Sequence, residues 1–185
     1  CLQFYLKSGN VEAVCSFIKA ICYYQINTPL AQKLRDMLLI YITQDIGTVL
    51  PTFTSIAKAS ESDVFLGQKD LFDQLFKNLH DSSVNAQIVK FIAQITANTN
   101  TIHNLKFTEL AKLRDSADNE LLLELIRVFT NCIAGGILKP SEFFELVDNG
   151  FSLEFDGIQQ NIETSYLIVN LVLKSTVYEL DTCLK

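Results

Sequence analysis

Ile126-Arg127-Val128-Phe129-Thr130-Asn131-Cys132-Ile133-Ala134 lies over Ile88-Val89-Lys90-Phe91-Ile92-Ala93-Gln94-Ile95-Thr96 at a shift of 38 residues, Phe on Phe and Ile on Ile. Upstream, Val14-Cys15-Ser16-Phe17-Ile18-Lys19-Ala20-Ile21 carries the same pattern, and Phe53 with Ala57 falls between, more weakly. Downstream, Ile168 and Val172 complete the series. The anchors Phe17, Phe53, Phe91, Phe129 and Ile168 are thus 36, 38, 38 and 39 residues apart. Inside each copy apolar residues recur at three and four, which marks one face of a helix. A helical unit of this size cannot bury its own apolar face and must lean on the next, so a period of ~40 predicts an all-α fold, an α-solenoid. The helix around Leu121, Leu122, Leu123, Leu125, Ile126, Val128, Phe129, Cys132 and Ile133 is apolar almost all round and must be covered on several sides.

Around this repeat no stretch alternates cleanly with turn pairs between strands, and helix boundaries are well marked. Thr28-Pro29 places a side-chain acceptor and a fixed φ at a helix start, Asp81-Ser82-Ser83 supplies caps, and Asp118 precedes Asn119-Glu120-Leu121. Gly135-Gly136 and Asn149-Gly150 can take the left-handed conformation that closes a helix. These signals predict helices over roughly 1–8, 10–25, 29–43, 46–59, 63–80, 84–98, 99–106, 108–115, 119–134, 140–149, 158–174 and 176–184. No Pro/Ser/Gly-rich linker divides the chain, so residues 1–185 read as one helical-repeat domain.

Composition agrees with an ordered chain: 185 residues, 49% hydrophobic and 19% charged, enough to bury a sizeable core. Fifteen Lys+Arg against 21 Asp+Glu leave a net charge of −6, and the basic residues are scattered singly, which argues against nucleic acid as a partner. The longest wholly apolar run, Met37 to Ile42, is far short of the ~20 residues that cross a bilayer. Five cysteines without framework or metal spacing, and no Asn-x-Ser/Thr sequon, point to a reducing compartment, the cytoplasm or the nucleus. The start on Cys1, with Met37 the only methionine, suggests a piece of a longer solenoid.

At the repeat itself the residues resemble the armadillo family, and more broadly its HEAT-like relatives. Ile126 to Gly135 looks like the end of an armadillo third helix with its asparagine, Asn131, and Glu145-Leu146-Val147-Asp148-Asn149-Gly150 looks like the following first helix with its closing glycine. Asn100 to Gly135 would form about one unit, with short helices over Thr101–Phe107 and Thr108–Arg114 before the long third. The resemblance implies a right-handed superhelix and a non-catalytic scaffold that binds another protein, with Asn131 and Asn170, one unit on, in the place of the family's groove asparagines. The chain departs from the nuclear-import pattern in having no Trp and in placing Ala93 one unit back. A weaker likeness to the ataxin-10 and small-GTPase-dissociation-stimulator groups implies, as an alternative, an armadillo-type regulator of a small GTPase.

No enzyme chemistry emerges from the residues. His80 and His103 are the only histidines and have no ligand-spaced companions, so neither metal nor cofactor is expected. Cys132 sits in an apolar helix without a neighbouring base, and there is no phosphate-binding glycine loop before a helix. One segment stands out. From Pro140 to Leu173 there are six acidic residues and no Lys or Arg, interleaved with phenylalanines. Glu142, Glu145 and Asp148 with Phe143 and Phe144 are therefore candidates for contact with a basic or amphipathic segment of a partner, the acids steering and the rings anchoring. The competing reading has the rings filling the junction between units and the acids lining ordinary surface.

Overall fold

The computed structural model describes residues 9–60, 64–65, 67–97, 105–139, 142–143 and 146. Among them are seven α-helices and no strand: α1 Val11–Ile21, α2 Thr28–Leu39, α3 Ile46–Ala59, α4 Lys69–Lys77, α5 Asn85–Thr96, α6 Phe107–Lys112 and α7 Asn119–Ala134, with a 3-10 turn at Leu113–Ser116. The expected all-α class holds over these residues. The predicted helices over 1–8, 158–174 and 176–184 lie outside them, as do most of 99–106 and 140–149.

The odd-numbered helices form a ladder. α1 packs on α3, α3 on α5, and α5, most extensively, on α7. Three of the repeat phenylalanines are its rungs: Phe53, Phe91 and Phe129 are all buried, and Phe53 and Phe91, 38 residues apart, lie with ring centroids 6.0 Å apart. The expected anchor Phe17 is only half-buried, and α1 packs through Val14, Cys15 and Ile18. Each rung receives further aromatic cover from outside the ladder. Phe65 stacks edge-on against both Phe53 at 5.2 Å and Phe91 at 5.0 Å, while Phe107 and Phe143 flank Phe129 at 6.3 and 5.3 Å. Such pairs favour tilted or edge-to-face geometry because the ring faces are electron-rich and the edges are not. α2 packs on α3. α4 meets the segment before α6 through Lys106, which lies 5.4 Å above the Phe76 ring and 3.9 Å from Asp73.

Local chemistry sets the helix ends. Asn10, Asn27, Asp45 and Asp118 each cap a helix by accepting the backbone N–H three residues on, at 2.8 to 3.0 Å. Thus the cap before Pro29 is Asn27, one residue earlier than the sequence suggested, and Thr28 opens the helix. The Asp81 carboxylate does not cap α5. It accepts from Ser83 N and Oγ within the preceding turn, leaving Val84 at the N-cap.

At the other end of the ladder Gly136, at φ +70°, turns the chain out of α7. Its N–H donates to Ile133 O, and Ile137 N–H to Cys132 O at 2.8 Å, the paired bonds of a Schellman closure. Several predicted helices are shorter than expected, and the 10–25 helix ends at Ile21, with Tyr23 and Tyr24 exposed beyond it. The 29–43 helix stops at Leu39 because Tyr41 and Ile42 bury themselves through successive turns instead. The 63–80 helix begins only at Lys69, since Gly67 takes φ +75° and Val64 and Phe65 pack inward ahead of it. Arg35 donates to the Val64 carbonyl and ties that turn to α2.

Candidate functional site

Because α3, α5 and α7 bury their phenylalanine faces, their polar positions are left together on another side. There α3, α5 and α7 border a groove of about 320 Å3. From α3 come Thr54 and Lys58, from α5 Lys90 and Gln94, and from α7 Glu124, Arg127 and Asn131. Ala93 and Ala97 form a low floor between them.

Glu124 is only 6% exposed, and its Oε1 accepts from Arg127 Nη1 at 2.9 Å one turn on. A buried carboxylate needs such a partner, and the pair in turn limits the guanidinium's freedom. Lys58 and Lys90 are exposed and have no acidic partner among the described residues. The groove therefore holds three cations and one carboxylate on a chain whose net charge is −6.

Asn131 lies in this groove, but its amide NH2 serves the fold. Nδ2 donates to Ala93 O at 3.0 Å, and Thr96 Oγ1 lies 3.3 Å away. Thr96 itself donates back to its own helix, toward Ile92 O at 2.9 Å and Ala93 O at 3.0 Å. Asn131 thus reaches the residue that stands 38 positions before it, its own equivalent in the preceding copy. This is the repeat period expressed as a bond. Its Oδ1 accepts no hydrogen bond among the described residues.

The other sequence candidates are placed as follows. Phe143 is buried against Phe129, so its ring belongs to the core rather than to a surface. Glu142 is exposed and accepts from the Lys139 backbone N–H at 3.0 Å. It borders a shallow hollow with Lys106, Glu109 and Leu138. Phe144, Glu145, Asp148 and Asn170 lie outside the described residues.

His80 is exposed, its Nε2 3.3 Å from Glu109 Oε2, and Lys112 donates to the same carboxylate at 3.1 Å. Lys112 first, then His80, hold the Glu109 carboxyl below its ordinary range. Among the described residues no three His, Cys, Asp or Glu side chains converge as metal ligands, and no helix is long and apolar enough to cross a membrane.

Lys58, Lys90 and Arg127 were not singled out in the sequence. At the shift of 38, Lys58 aligns with Thr96, Lys90 with Val128 and Arg127 with Val89. No repeat position is consistently basic, so only the packing of neighbouring helices brings the three together. Comparison of the chain with protein-family models, with curated proteins and with solved structures returns no match.

Proposed function

We propose that the chain is a non-catalytic protein-interaction module, a right-handed α-solenoid of armadillo- or HEAT-like repeats. It presents the polar side of its ladder helices to another protein. The observation that supports this most directly is the bond from Asn131 to Ala93, which joins equivalent positions of consecutive copies and gives neighbouring ladder helices a common register. A row of helices held together by buried rings, and at α5 and α7 by this bond, makes a rigid, continuous surface, and rigidity lowers the ordering cost of binding. The free thiols Cys15, Cys22 and Cys132 suit a reducing compartment, the cytoplasm or the nucleus.

Photo-crosslinking tests the reading. A crosslinking amino acid placed at Gln94, in the groove, is expected to capture discrete protein partners in cell extract, whereas the same group at Asp73, on α4 outside the ladder, captures few. Equal labelling from both positions would remove the support for a ladder-side interface.

A further inference from the structure

The groove across α3, α5 and α7 has a sign opposite to that of the chain. Three cations meet one carboxylate there, and that carboxylate, Glu124, is buried and already holds Arg127. Lys58 and Lys90 are left without a counter-charge among the described residues. Two unpaired ammonium groups beside a held guanidinium create a local positive potential, which draws in an anion and repels a cation.

The neutral groups match an anion with a polypeptide backbone. Gln94's amide makes no hydrogen bond among the described residues, and Asn131 Oδ1 is open while its NH2 is committed to α5. Amide oxygens need N–H or O–H donors. A polypeptide backbone offers an N–H at every residue but proline, whereas a DNA strand offers N–H donors only on its bases. Resting on the interaction-module reading, we propose that this groove binds an extended acidic segment of another protein, carboxylates on Lys58 and Lys90 and backbone on Gln94 and Asn131. The partner's charge is thus opposite to the one expected at Glu142, Glu145 and Asp148.

Fluorescence anisotropy with the intact chain tests this against three short labelled probes: a Glu/Asp-rich peptide, a Lys/Arg-rich peptide of equal length, and single-stranded DNA. The acidic peptide should bind, and Lys58→Glu with Lys90→Glu should weaken it by about tenfold or more. Lys33→Glu with Lys77→Glu, which changes net charge equally at exposed lysines elsewhere, should leave affinity within about twofold. Circular dichroism checks that each variant folds, and the milder Lys58→Ala with Lys90→Ala should give an intermediate loss.

Equal weakening by both reversals overturns the site. DNA bound at the groove more tightly than the acidic peptide overturns the choice of ligand. Binding of the basic peptide alone, abolished by Glu142→Lys, overturns the inference but keeps the interaction module. If no probe binds, the inference fails, and the crosslinking pattern, which is indifferent to partner charge, judges the module separately. Sedimentation of the chain alone adds one more check: a dimer dissolved by the Lys58→Glu, Lys90→Glu pair would put the chain's own acidic stretch in the groove and overturn assignment to another protein.

Discussion

Cys132 sits inside α7 with no exposed surface, and burial pushes its thiol up from 9.0 to about 12. Burial also raises Cys15 and Cys22, with the Thr52 hydroxyl and Lys19 partly opposing it at Cys15. A raised thiol means that the unfolded chain releases its proton first. Cys132's contribution to stability is therefore constant below about pH 9 and is lost between about 9 and 12, at up to about 1.4 kcal/mol per pH unit. Denaturant titrations at several alkaline pH values should show a shallower decline for Cys132→Ala than for the parent, and identical slopes would contradict this account. The preceding residue shows what sequence could and could not convey. Asn131 was legible as special from its place in the repeat, but its partner is a backbone carbonyl 38 residues away. A side chain's choice between binding a ligand and bridging two helices is written in the distance between those helices, which no local pattern encodes.

Among the elements, the helices that read most clearly were those with both an apolar stripe and a side-chain acceptor at the start. α3 and α7 have the expected bounds, 46–59 and 119–134. Two of the misplaced ends fell where a side chain had two possible uses. Asp81 could cap α5 or close a turn on Ser83, and the turn took it. Tyr41 and Ile42 continue the apolar run of α2, yet they are buried from turns, because burial rewards apolar area whatever the backbone carrying it. α7 allows the cap to be measured. Asp118 Oδ1 accepts from Leu121 N at 2.8 Å, so Asp118→Ala should cost about 1 kcal/mol, within the ~0.5–2 range for lost caps. Asp118→Asn, which keeps the acceptor, should recover most of that loss in a urea midpoint, and an equal loss in both variants would show that the hydrogen bond is not the source.

For the whole molecule, the period of ~40 predicts stacked helical units; the described residues are all-helical, and α1, α3, α5 and α7 pack in succession. The groove was not foretold, because its cations occupy unlike repeat positions and only the offset between adjacent helices assembles them. The proposed solenoid makes a demand that a closed bundle does not. In a row, α1 supports α3 directly and α7 only through α3 and α5, so damage at one end should remain there. Ile18 on α1 is fully buried, and Ile18→Ala should cost about 2–5 kcal/mol in that unit. Hydrogen exchange followed by mass spectrometry is expected to show faster exchange in peptides from α1 and α3, a smaller change in α5, and unchanged protection in α7. The gradient is the diagnostic feature, since nearest-neighbour coupling weakens along a row whereas a single cooperative core loses protection throughout. Uniform acceleration from α1 to α7 would mean that the helices fold as one body, and the rigid, repeat-built surface proposed for partner binding would lose its structural basis.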